Sequence, residues 1–280
     1  MKIERKVLYH SSSERQAAQE SKDYTSTIDG FFGERPDVQE QCNLFSKLIK
    51  KFLRLFGLKM SRIQHDDPHR IVSGLTAHRV NVVFDVGANT GQFAKSLREA
   101  GYSGKIVCFE PLLDAHEKLR NRFDRDEKTL IHPRTALGDA SGSININVSR
   151  NSVSSSILNL LSSHSDAAPE SAYVDTIETD IDRLDNVFAD YVTEGDCVFL
   201  KIDTQGYEWN VLNGAEACLD KVDGLLLEMS LVPLYDGQRL WKDILHRLEG
   251  EGFFLWQILP GFSEPTSGQT LQFDGVFYRT

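Results

Sequence analysis

The chain has 280 residues, 40% of them hydrophobic, enough to bury one core of ordinary size and to set the expectation of one main α/β domain with an appendage. Its formal charge of -10 repels a phosphate backbone, which disfavours nucleic acid as a partner. Cys42, Cys108, Cys197 and Cys218 lie far apart with no CxxC pair, and no run of roughly eighteen apolar residues offers a signal or spanning segment, so a reduced, cytoplasmic protein is expected.

Residues 1–36 are polar and serine-rich and end in Gly30, Gly33 and Pro36, the pattern of a mobile extension. From Asp37 the pattern changes. Leu44, Phe45, Leu48, Ile49, Phe52, Leu53 and Phe56 recur at helical steps and stop at Gly57, so residues 37–79 are expected to form a helical appendage. Six basic residues between positions 37 and 62 stand against Asp37 and Glu40. A basic amphipathic helix at 37–57 fits peripheral contact with a membrane or a partner, and equally fits packing on the main domain.

Beyond residue 80 short apolar runs alternate with helical patterns. Strands are predicted at 81–86, 105–110, 129–136, 197–203, 224–230, 253–259 and 271–279, and helices at 91–100, 113–122, 206–220 and 239–250. Strands apolar throughout, with helices between them, belong to a parallel sheet covered on both faces. The last run, LQFDGVFYR, follows a Gly/Pro/Ser-rich loop instead of a helix, so it should pair antiparallel. The rhythm breaks between 138 and 180. There GDASGSININV reads as a short hairpin, and NSVSSSILNLLSSHSD reads as a serine-rich lid or a surface excursion.

The first strand and its turn read VVFDVGANTGQF at 82–93. A dinucleotide turn needs GxGxxG, whereas here asparagine stands at the second glycine position and glutamine at the third. What remains is acid-x-Gly-x-x-x-Gly, with Asp85 beneath the turn and Glu110 at the end of the next strand. A carboxylate below the turn suits an ammonium group better than a pyrophosphate. Glu110 is spaced to accept both hydrogen bonds of a ribose diol. S-adenosylmethionine, an adenosine bearing a cationic amino acid, meets both demands.

DVGANTGQF followed by FEP at 109–111 resembles the cofactor site of Rossmann-like methyltransferases. With TALGD at 135–139, LKIDTQGYEWNVLNGAE at 200–216, EMSLVPLYDGQ at 228–238 and LQFDGVFYR at 271–279, residues 80–280 resemble the FkbM family of methyltransferases. The resemblance implies a Rossmann-like seven-stranded, mostly parallel sheet with helices on both faces. It implies that Asp85, Gly87, Ala88, Asn89, Thr90 and Gly91 hold the methionine part of S-adenosylmethionine. Glu110 with Pro111 would hold the ribose, Ala136 and Leu137 the adenine edge, and Asp203 would stand beside the methyl group. Many members carry glutamate where this chain has Gln205, which puts in doubt any role for that position as a base or charged metal ligand.

The resemblance further implies O-methylation of a hydroxyl on a sugar, glycan or polyketide-type acceptor. The acids at strand ends are Asp203, Glu208 and Glu228, and Asp203 with Glu228 is the expected catalytic pair, since like charges in one crevice raise each other's proton affinity. The same two acids with a third oxygen donor would seat Mg²⁺. Tyr235, just past the fifth strand, and Glu208 are expected to touch the acceptor, whereas His132 reads as structural. The alternatives are a non-catalytic S-adenosylmethionine-binding scaffold and a nicotinamide-dependent dehydrogenase, the latter opposed by Asn89 and Gln92.

Overall fold

The computed structural model describes residues 67–279. The expectations for residues 1–36 and for the basic helix at 37–57 lie outside the described residues. The first element is helix α1 (Asp67–Ala77), which sends Ile71 and Leu75 into the protein from one face. Strand β1 (Val82–Val86) leads through the glycine turn into α2 (Gln92–Glu99), and β2 (Lys105–Phe109) leads into α3 (Leu113–Arg122). Next come the short strands β3 (Thr129–Ile131) and β4 (Ala136–Leu137), then β5 (Gly142–Ser149), α4 (Ser162–Ala167), β6 (Tyr173–Asp182) and α5 (Leu184–Val187). The chain closes with β7 (Val198–Ile202), α6 (Glu208–Asn213), β8 (Val222–Ser230), α7 (Trp241–Gly250), β9 (Phe253–Pro260) and β10 (Gln272–Arg279).

Seven strands form the main sheet in the order β3-β2-β1-β7-β8-β10-β9. The pairings from β3 across to β8 are parallel, and β10 runs antiparallel to both its neighbours, as the missing helix before it predicts. The order reverses at β1, and the carboxyl ends of β1 and β7 therefore open a crevice. Each central strand is buried on both faces because each face has its own core. Val82, Phe84 and Val86 with Val198, Leu200 and Ile202 belong to one core; Val83 with Phe199, and Ile71 and Leu75 of α1, belong to the other. No helix among the described residues is long and apolar enough to cross a membrane.

Three predicted boundaries move, each for a local reason. The strand expected over 129–136 stops at Ile131, before His132 and Pro133; proline has no N–H to give a ladder. The helix expected over 206–220 ends at Asn213, before Gly214, where only glycine fits: a Cβ there would sit 1.8 Å from the Gly138 carbonyl oxygen. GDASGSININV is not a hairpin by itself. Its strand β5 pairs antiparallel with β6, from Gly142↔Ile181 to Ser149↔Tyr173, and β4 joins the other edge of β6 to make a second, three-stranded sheet.

Leu200 is fully buried on the central strand β7. Leu200→Ala should therefore cost about 2–5 kcal/mol of unfolding free energy in urea titration, through lost transfer energy plus the cavity left behind. A loss below about 1 kcal/mol would contradict the placement of β7 at the centre of the core.

Candidate active site

The turn after β1 is built from left-handed residues: Gly87 has φ +75°, Asn89 φ +47° and Gly91 φ +83°. Asparagine tolerates that region better than most side chains, which is why it can stand where a dinucleotide turn has glycine. Gly87 is also required by contact, since a Cβ on it would meet the Asp203 carbonyl oxygen at 1.9 Å. The ends of β1 and β7 thus touch backbone to backbone. The turn is tied to β2 as well: the N–H groups of Gly87 and Ala88 donate to the Phe109 carbonyl at 3.1 and 3.0 Å, and the Asn89 N–H donates to Glu110 Oε2 at 2.7 Å.

Above these strand ends lies a cavity of about 380 Å³, within the usual size for a small-molecule site. Of the expected cofactor residues, Gly87, Ala88, Asn89, Glu110, Pro111, Ala136, Leu137 and Asp203 line it. Asp85, Thr90 and Gly91 do not. Asp85 is wholly buried beneath the turn, and Gly91 packs against Leu119 and Phe123. The serine-rich segment supplies a wall through Ser152, Val153, Ser155, Ser156 and Ile157, and Ser156 Oγ donates to the Gln205 carbonyl at 2.6 Å.

Lys201 is a functional residue that motif reading passes over. It is 5% exposed, and its register partner on β1 is Asp85. Its ammonium lies 3.0 Å from Asp85 Oδ1 and 3.5 Å from Asp203 Oδ2, and it donates to the carbonyls of Gly87 at 3.0 Å and Val86 at 3.3 Å. Burial disfavours its charge, but Asp85 and Asp203 outweigh burial and hold its pKa above the ordinary lysine range. The signal for it was in CVFLKID: a lysine inside an otherwise apolar strand needs a buried partner. With Lys201 in place, the Asp85 charge is balanced within the protein, so Asp85 supports the turn instead of holding a ligand's ammonium.

The other acids have separate environments. Asp203 is 39% exposed and lines the cavity. Glu228 stands behind it, off the cavity wall. Burial first, then the charges of Asp203, Glu208 and Asp274, raise the pKa of Glu228 well above the carboxylate range. Gln205 joins the two, its Nε2 donating to Asp203 Oδ1 at 2.8 Å and to Glu228 Oε2 at 2.9 Å. Tyr235 and Glu208, expected at the acceptor, are turned inward. Tyr235 is fully buried and donates its hydroxyl to Gln205 Oε1 at 2.7 Å. Glu208 is 2% exposed, its Oε1 accepts the N–H groups of Thr204 and Gly206, both at 3.0 Å, and burial lifts its pKa to about 7. It closes the DTQG turn.

The residues do not fit a Mg²⁺ between Asp203 and Glu228, the possibility that the two acids raised, because Gln205 presents an N–H donor there and not an oxygen. Among the described residues no three His, Cys, Asp or Glu side chains converge as a metal requires. His132 is structural, its Nδ1 hydrogen-bonded to the Tyr191 hydroxyl at 2.8 Å.

Lys201→Met keeps the unbranched stem of the side chain, loses its terminal ammonium and leaves Asp85 buried and unpaired. A stability loss of about 3–5 kcal/mol at neutral pH is expected in urea unfolding, partly recovered when Asp85→Asn is added. A single-variant loss under about 1 kcal/mol would show that the pair is not needed.

Two solved structures illustrate the likeness at the level of the chain path. An rRNA methylase from Streptococcus thermophilus is 15% identical with a TM-score of 0.42, over 78% of this chain and 99% of its own. The magnesium protoporphyrin IX methyltransferase (ChlM) from Synechocystis PCC 6803, with bound S-adenosylmethionine, is 12% identical with a TM-score of 0.41, over 89% of this chain and 100% of its own. No curated protein matches the sequence significantly. The family model described as the methyltransferase FkbM domain matches residues 85–255, more than half of the sequence, and this chain therefore belongs to the FkbM family of S-adenosylmethionine-dependent methyltransferases.

Proposed function

We propose that the enzyme methylates a hydroxyl oxygen of a sugar, a glycan or a glycosylated or polyketide-type metabolite, with Asp203 as the group that takes the hydroxyl proton. The observation that carries this reading is a partly exposed carboxylate on the cavity wall, braced by Lys201 and Gln205, next to the glycine turn. The acceptor class rests on the family.

The residues present fit S-adenosylmethionine. Each oxygen of Glu110 accepts one backbone N–H, from Asn89 at 2.7 Å and from Leu112 at 2.8 Å, which leaves a second lone pair on each for a ribose diol. Ala136 and Leu137 offer an apolar edge for adenine, and Gly87 to Asn89 a cradle for the methionine part. When bound, the cofactor supplies a sulfonium methyl already activated toward attack. The protein then has to align the acceptor and remove its proton. Asp203 Oδ1 accepts from Gln205 and Oδ2 lies 3.5 Å from the Lys201 ammonium, which leaves a lone pair on the carboxylate facing the cavity to receive that proton. Glu228, already holding its proton more tightly, is less suited to the task.

A tritiated methyl transfer assay against cell glycans and small metabolites tests the activity and acceptor class together. Asp203→Asn should lower kcat by about 10²–10⁴ while S-adenosylmethionine affinity changes little. Equal loss of both would sink the assignment of Asp203 as base. The cofactor site has its own pH signature. Burial raises Glu110 to about 7, and a diol donating to it favours the ionised form. S-adenosylmethionine binding by calorimetry should therefore weaken about tenfold per pH unit as pH falls below about 7 and level off above it. Glu110→Gln should abolish that slope, and a flat wild-type profile would count against the ribose assignment.

A further inference from the structure

Gln205 stands in the left-handed region, φ +54°, immediately after the acid at the end of β7, and each of its polar side-chain atoms has a defined partner. Oε1 accepts the Tyr235 hydroxyl at 2.7 Å, and Nε2 donates to Asp203 Oδ1 at 2.8 Å and Glu228 Oε2 at 2.9 Å. Its main-chain carbonyl accepts Ser156 Oγ from the serine-rich wall. The Asp203 contact sets which way the amide faces: turned over, its oxygen would point at that acceptor oxygen. Tyr235 in turn has no freedom to release it, being fully buried with its ring packed where a Cβ on Gly206 would meet it at 2.8 Å.

A nitrogen with two N–H bonds, each aimed at a different carboxyl group, performs the electrostatic task that a bound cation performs between two acids. It offers positive partial charge to both and fixes them side by side. It also has no lone pair free to ligate a metal. We infer that Gln205 is a positioning residue of the acceptor site, an amide standing in for a bridging cation between Asp203 and Glu228, with Tyr235 locking its orientation. The consequence for catalysis rests on the reading of Asp203 as base; the bridge itself does not.

Gln205→Glu exchanges the donor for a third carboxylate and turns the bridge into a set of hard oxygen ligands. Mn²⁺ titrated into the protein without acceptor, followed by the electron paramagnetic resonance of the free ion, should bind this variant at least about tenfold more tightly than the wild type. In the transfer assay on the glycan fraction, Gln205→Glu should lose at least about tenfold in kcat in EDTA and regain activity with Mn²⁺, while the wild type responds to neither. Tyr235→Phe removes only the hydroxyl and should lower kcat with the KM for S-adenosylmethionine unchanged. Mn²⁺ binding by Gln205→Glu no tighter than by the wild type, at an unaltered unfolding midpoint, would overturn the bridge, as would full kcat in Tyr235→Phe. Tighter Mn²⁺ binding by the variant together with no wild-type transfer to any hydroxyl acceptor would support the bridge and refute the O-methylation reading.

Discussion

One buried ammonium organises this site. Lys201 reaches from the central strand β7 to Asp85 on β1 and to Asp203 just beyond its own strand, and it holds the first carbonyls of the glycine turn. Its weight comes from burial. The exposed pair Lys95–Glu99, with side chains 54% and 64% accessible, is worth about 0–1 kcal/mol, because water screens it and two long side chains must be ordered. Removing one partner of a buried pair instead strands a charge in the protein interior, at a cost of several times that. The floor of the cavity, the shape of the turn and the orientation of Asp203 all depend on that charge remaining.

The acids around the crevice show how environment divides labour among like side chains. Asp85 is neutralised from within and supports the turn; Asp203 is presented to the cavity; Glu208 accepts the N–H groups of the turn behind it; Glu228 is braced at the back; and Glu110 keeps lone pairs facing inward from the other side. Burial raises Glu110 and Glu208 alike, yet only Glu110 lines the cavity. Position relative to the cavity, more than proton affinity, separates an acid that a ligand can reach from one that it cannot. The second sheet and the serine-rich segment complete the enclosure, with Ser156 linking that wall to the turn that carries Gln205.

Much of the fold was legible from local pattern. Strands buried on both faces read as continuous apolar runs, and the absence of a helix before LQFDGVFYR foretold an antiparallel strand. The strand β6, YVDTIETDID, was not legible: most of its outward residues are charged or polar, its sheet is half exposed, and its partner β5 lies on the far side of the serine-rich segment. In the site, the positions of the glycine turn and Glu110 on the cavity wall could be read because strand ends and turns follow from spacing along the chain. Lys201 could not be assigned from spacing, because its partner is reached through register between strands far apart in sequence.

The sequence by itself determined the strands of the main sheet and the helices between them, the glycine turn at Gly87 to Gly91 and the resemblance that led to the family. All of these depend on neighbours within a few residues or on ordered motifs. Tertiary structure alone decided which acid faces the cavity and which is covered, that Tyr235 and Glu208 turn inward, and that an amide lies between Asp203 and Glu228. The physical reason is that side-chain roles here are set by burial and by through-space charge, and both belong to the packed sheet and to no stretch of chain.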